Sequence, residues 1–187
     1  IVAVPGGALA GLLRPAGDDV ALAATPYSVG LLVGIAVDRP LRPCELQGAY
    51  GVLMHPDEGP LAALCVASRA GHAVPGLDLV TCLFSDASAR AVTGMSDSEV
   101  VVRARDALLR WAPTLGDALR DGEHRVFRIP QAMPMSAPGR LAAIDGYRRR
   151  PPGRVVLAGD VLAWPWSDSA AYVGESAADR VVERLAS

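Results

Sequence analysis

The sequence predicts a mixed α/β chain, α+β overall, in which an antiparallel sheet with a covering helix is bracketed by strand-turn-helix segments at both ends. Three observations carry this expectation. Residues 1–13 and 154–185 each read as an apolar strand, a glycine-containing turn and a helix. Residues 27–85 hold four β-rich runs separated by short Gly and Pro turns, and residues 96–111 then change to helical spacing. With 187 residues, 51% of them apolar, the chain can bury one core or two small ones.

The opening Ile-Val-Ala-Val-Pro reads as a buried strand already in progress, followed by a short helix that ends near Arg14-Pro15. Because Ile1 is no initiator methionine, sequence upstream is expected to be absent, removed or carried on another chain. Residues 27–37, YSVGLLVGIAV, form a long and largely buried strand that Asp38-Arg39-Pro40 terminates, since proline cannot donate to a ladder. Three further strands are expected within 48–56, 61–68 and 77–85, as a meander continuing the first. Ser96 and Glu99 make a capping box, and Val100, Ala104, Ala107, Leu108 and Trp111 give one apolar helical face up to Pro113. HRVFRIP (124–130) is a short strand; the prolines that follow through Gly139 argue against regular structure there, and 140–150 forms a helix. The Arg148-Arg149-Arg150 run reads as a solvated helix end rather than a phosphate site. Last, RVVLAGD (154–160) is a buried strand, and a Trp-Pro-Trp turn leads to a helix from about 169 to 185.

Composition removes several classes of function. Net charge is −2, from 18 basic and 20 acidic side chains, so no electrostatic footprint for nucleic acid or an anionic membrane exists. All 18 basic residues are arginine, which leaves no lysine for a Schiff base or a general base. Cys44, Cys65 and Cys82 lack CxxC spacing and a matching histidine, so no metal site is expected and the thiols read as reduced residues of a cytoplasmic core. No apolar run reaches the roughly 18 to 20 residues of a membrane span and no signal peptide is visible. His55, His72 and His124 lie in or beside expected turns and read as surface residues.

The segment 155–185 ends a strand in Ala158-Gly159-Asp160, passes through Trp164-Pro165-Trp166, and continues as Ser167-Asp168-Ser169-Ala170 with Gly174, Ala177 and Ala178 behind it. It resembles the last flavin-contacting motif of the flavin amine oxidase and protoporphyrinogen oxidase superfamily, with Asp168 for the family's Glu and Ser169 for its Gly. IVAVPGGALAGLL resembles the middle flavin segment, and residues 27–41 with 48–54, 96–111 and 126–141 resemble, more diffusely, the substrate domain of protoporphyrinogen oxidases. In the last stretch Arg128, Ala132, Pro134 and Gly139 are in place, while Met135 and Arg140 are substituted.

The resemblance implies the C-terminal part of a Rossmann-like FAD-binding domain plus an antiparallel-sheet-and-helix substrate domain. Residues 1–26 would end the middle FAD segment, 27–150 the substrate domain, and 151–187 the last cofactor-contacting strand-turn-helix. The N-terminal Gly-x-Gly-x-x-Gly segment that holds the pyrophosphate is missing, so the partner implied is a complementary chain or segment bearing that fingerprint. Ala3 and Pro5 would lie near the adenosine half of FAD, and Gly159 would let the backbone approach the cofactor. Asp160 would accept hydrogen bonds from ribityl or ribose hydroxyls, and Trp166, Ser167, Asp168, Ser169 and Ala170 would face the flavin at a helix N-terminus. No cysteine follows Cys82, which implies non-covalent FAD.

Aligning on Asp38-Arg39-Pro40-Leu41 places Leu32 where amine oxidases of the family carry a lysine. That moves the implied reaction towards hydride removal from a hydrophobic or polycyclic substrate. Leu32, Met133 and Trp164 are the substrate-side candidates, Met135 a further one, and no catalytic acid or base is assigned. The alternatives are amine oxidation without the lysine, or a non-catalytic subunit that completes a partner's fold.

Overall fold

A computed structural model describes residues 1–14, 18–72 and 75–186, apart from the side chains of 18 and 120–122. Pro15, where the first helix was expected to end, and Ala73-Val74 of the third turn lie outside the described residues. The helices are α1 (Gly6–Leu12), α2 (Asp18–Ala23), α3 (Asp86–Ala91), α4 (Asp97–Trp111), α5 (Arg140–Arg149) and α6 (Ser167–Ala186). The strands are β1 (Tyr27–Val37), β2 (Gly51–Leu53), β3 (Leu61–Val66), β4 (Asp78–Phe84) and β5 (Leu119–Pro134). Two compact units result, one made of 1–28 with 131–187 and the other of 29–130.

The second unit is built on the sheet, whose order is β2-β3-β4-β1-β5. β2, β3 and β4 form the expected antiparallel meander, but β1 does not precede β2 in space; it joins at the far side of β4, with Val33 opposite Cys82 and Ile35 opposite Val80. Alternation along β1 explains the choice, because Leu31, Val33, Ile35 and Val37 all point into one core with Leu64, Val66, Val80 and Phe84. Helix α4 closes that core with Val100, Val101, Ala104, Ala107 and Leu108. Its capping box forms as the sequence predicts: the Glu99 amide donates to Ser96 Oγ, and the Ser96 amide donates to the Glu99 carboxylate at 2.8 Å.

The expectation of irregular chain after Pro130 is overturned for 131–134, since β5 continues through Pro130 to Pro134, and holds for 135–139. β5 is the last strand in the sheet order, and an edge strand has an unpaired side on which a missing N–H costs nothing.

The first unit has its own core, gathered from Leu9, Leu22, Ile144, Tyr147, Val156, Leu157, Leu162 and Val173. The two expected strands of this unit shrink to a single parallel bridge between Val2 and Leu157, in which the Val2 amide donates to Val156 O and the Ala158 amide to Val2 O, each at 2.8 Å. Pro5, which cannot donate, and Gly159, at φ 82°, stop the ladder on either side. Helix α5 packs against α2 and lends Tyr147 to this core, so residues 131–150 cluster with the termini rather than with the sheet.

The arginine run is more than a solvated end. Arg150 pairs with Asp19 at 2.5 Å and, with Arg180, stacks near the Tyr147 ring, while Arg148 lies over Tyr172 and donates to Leu162 O. Among the cysteines, Cys82 is buried and Cys65 half-buried, but Cys44 is exposed, contrary to the expectation of core thiols throughout.

Candidate functional site

In the first unit the parallel bridge delivers the chain to Gly159, whose positive φ turns it sharply into a one-turn helix at Asp160–Leu162. Ala3 adjoins this point: a side chain on Gly159 would stand 3.5 Å from the Ala3 Cα. Asp160 is half-buried, and its Oδ1 accepts the Tyr27 hydroxyl at 2.8 Å. That hydroxyl in turn accepts the Gly6 amide at 3.2 Å, directly after Pro5 at the start of α1. Burial, then the hydrogen bond to Asp160, push Tyr27 far above the ordinary phenol range, so the hydroxyl stays protonated and donates.

The turn's backbone is held from the opposite side. Arg140, 4% exposed, donates through one terminal nitrogen to Asp160 O at 2.8 Å and Ala163 O at 2.6 Å. Burial lowers the Arg140 pKa, yet the guanidinium remains a donor, sharing the Asp160 carbonyl with the Ala163 amide. Among the described residues, no hydrogen bond reaches Asp160 Oδ2.

Beyond the turn, the Trp164 amide donates to Ser169 Oγ at 3.1 Å and the Ser169 amide to Asp168 Oδ1 at 2.9 Å, which folds Trp164–Trp166 back onto the first turn of α6. Trp166 is 66% exposed; Ser167, Asp168 and Ala170 are exposed around it, at the end of the helix where N–H groups lack intrahelical partners. The structure thus gathers Ala3, Pro5, Gly159 and Asp160 at one turn and Trp166, Ser167, Asp168, Ser169 and Ala170 at the helix start that follows. Trp164 lines a small cavity between α5 and α6 with Arg140, Arg148 and Tyr172, and Met133, near the end of β5, is half exposed.

The second unit contributes a different feature. A cavity of about 700 Å³ opens on the sheet face opposite α4, floored by Leu32, Gly34 and Ala36 of β1 and by Leu79 and Thr81 of β4. Phe127 walls it, and Glu123, His124 and Arg125 of β5 rim it. Leu32 therefore stands in a cavity, and His124, expected at the start of a strand beside a turn, lies within β5 and lines the same cavity. Sequence reasoning missed Tyr27 and Arg140, and no local pattern marked either one. Among the described residues no group of three His, Cys, Asp or Glu side chains is arranged to hold a metal, and no helix is long and apolar enough to cross a membrane.

The mixed α/β architecture with its antiparallel sheet is similar to flavin amine oxidase folds. The chain belongs to the family of flavin-containing amine oxidoreductases, whose pattern matches residues 1–182. Among solved structures it is similar to a protein assigned as a protoporphyrinogen oxidase from Exiguobacterium sp. 255-15, at 15% identity and TM-score 0.75 over 99% of this chain and 40% of that one. It is also similar to a cofactor-binding redesign of putrescine oxidase (14% identity, TM-score 0.69, 96% of this chain and 42% of that one). Reduced UDP-galactopyranose mutase follows at 18% identity and TM-score 0.54, over 76% of this chain and 31% of that one. The chain therefore spans at most about two fifths of the length of these structures. No curated protein matches it.

The family implies a flavin cofactor, and the residues present fit its hydroxyl-bearing portion. Among the described residues nothing donates to the second Asp160 carboxylate oxygen, and Gly159 lets the backbone beside it turn close to Ala3.

Proposed function

We propose that this chain is the C-terminal portion of an FAD-dependent oxidoreductase that removes a hydride from a hydrophobic or polycyclic substrate. The observation that carries the reading is the Gly159-Asp160 turn, held by Tyr27 and Arg140 within a chain that matches the flavin family from residue 1 to 182. Flavin, when bound, supplies a two-electron acceptor that a second acceptor such as O₂ can reoxidise.

The roles of this chain's residues follow from their chemistry. Asp160 holds cofactor hydroxyls, and the start of α6 from Trp166 to Ala170 turns its N–H dipoles towards the flavin edge where negative charge collects. Ala3 and Pro5 border the adenosine side, and binding is non-covalent. Leu32, Gly34, Ala36 and Phe127 shape an apolar cavity that excludes water from a substrate C–H bond. Leu32 at the position matched to the family's lysine supports hydride removal over lysine-assisted amine oxidation. The dinucleotide fingerprint is contributed by a segment outside these 187 residues, on the same or another chain, and the shorter span relative to the solved structures supports this.

Asp160→Ala in the full-length protein is expected to weaken FAD retention by about 1–3 kcal/mol, the cost of losing a charged hydrogen-bonding partner. Flavin absorbance after gel filtration measures it, and unchanged retention refutes the assignment. Anaerobic bleaching of the bound flavin by an amine but by no polycyclic compound would transfer the activity to amine oxidation; a flavin that no substrate bleaches would mark a non-catalytic subunit.

A further inference from the structure

One oxygen of the Asp160 carboxylate is already engaged by a protein hydroxyl. Tyr27 Oη donates to Oδ1 at 2.8 Å and accepts the Gly6 amide at 3.2 Å, so a single hydroxyl ties the start of β1 to the start of α1 and to the turn after Gly159. Tyr27 is 7% exposed, and its ring is held in place by burial rather than by the hydroxyl alone. Arg140 fixes the backbone of the same turn through the Asp160 and Ala163 carbonyls, which leaves the side-chain torsions of Asp160 as the remaining freedom.

We propose that Tyr27 is a positioning residue for Asp160: its hydroxyl, set by the Gly6 amide, occupies Oδ1 and thereby presents Oδ2 to the hydroxyls of the flavin cofactor. This rests on the flavin reading of the turn. A carboxylate fixed before binding loses less side-chain entropy when it accepts a ligand hydroxyl, so removing the phenol oxygen weakens cofactor retention without removing any cofactor contact. Phenylalanine fills the same space as tyrosine and deletes only the hydroxyl, which removes the donor to Asp160 and, with it, the acceptor of the Gly6 amide.

The test compares FAD dissociation from the full-length protein, followed by flavin fluorescence, for wild type, Tyr27→Phe, Asp160→Ala and the double variant. Tyr27→Phe is expected to weaken retention roughly threefold to tenfold, and to add less than about twofold when Asp160 is already alanine, because a residue that acts through another is coupled to it. Retention within twofold of wild type for Tyr27→Phe overturns the proposal, as does a loss that adds in full to that of Asp160→Ala, the behaviour of a merely structural tyrosine. Should Tyr27→Phe fail to fold, Asp160→Asn replaces it: with its one oxygen engaged by the Tyr27 hydroxyl, asparagine turns an amide N–H rather than an acceptor to the cofactor, so FAD retention should fall at least threefold below wild type, and retention equal to wild type overturns the role. A wild-type protein that holds no flavin sinks the flavin reading itself, an outcome distinct from either of these.

Discussion

Glu45 is a carboxylate that folding keeps charged at a cost in solvation. It is 4% exposed, and its oxygens accept Arg39 in bidentate fashion at 2.7 and 2.9 Å, the Arg42 amide at 2.6 Å and the Thr114 hydroxyl at 3.3 Å. These donors, Arg39 foremost, outweigh burial and hold its pKa down to about 2 from an ordinary 4.5. The bonds also pin a loop in which Leu46 and Gln47 sit at φ of 48° and 53°, a conformation that L residues adopt only under constraint. Because the folded pKa lies below the unfolded one, the stabilisation is complete above the unfolded value and drains away as pH falls from about 5 towards 2. Up to about 3 kcal/mol is expected to disappear over that window in chemical denaturation, and Glu45→Gln should be less stable at neutral pH yet show a shallower acid decline. An acid decline identical in the two proteins would remove Glu45 as its source.

At the scale of single elements, α4 is the segment whose local signals and tertiary role agree best. Ser96 and Glu99 satisfy each other's amides at its start, and Val100, Ala104, Ala107 and Leu108, which fall at helical spacing in the sequence, are buried under the sheet with Val101, whereas Trp111, expected on the same face, is 39% exposed. Ser96→Ala is expected to lower stability by about 1 kcal/mol without altering the sheet, read as a shift in denaturation midpoint at constant m-value. β1 was legible for a similar reason: its β-branched run ends at a proline, so Tyr27–Val37 could be bounded from the sequence alone. β5 was not, because proline is a reliable breaker only where its missing N–H would be needed, and whether a strand lies at an edge is decided by its neighbours. The α6 motif was readable as a spacing, but the back-bonding of Trp164 onto Ser169 that shapes its entrance was not.

At the scale of the whole molecule, what the sequence concealed is what long-range pairing creates. Tyr27 and Asp160 are 133 residues apart, and neither the bond between them nor the placing of β1 beside β4 leaves a local trace. The cavity is of the same kind, since Leu32, Leu79 and Phe127 meet only through sheet order, whereas the family motif at 155–185 was recognisable because its residues are contiguous. This division makes the cofactor turn and the sheet cavity separately testable. Gly34 floors the cavity, and a Cβ placed on it would already stand 3.4 Å from Leu79 Cδ1, so a larger side chain must project into that cavity. Gly34→Leu is expected to raise KM for a bulky apolar substrate roughly tenfold while FAD retention stays within about twofold, the reverse of the pattern expected for Asp160→Ala. Steady-state kinetics and flavin absorbance on the same preparations decide it. A Gly34→Leu protein that loses flavin as readily as Asp160→Ala would show that the sheet face serves the cofactor, and an unchanged KM would show that substrate binds elsewhere.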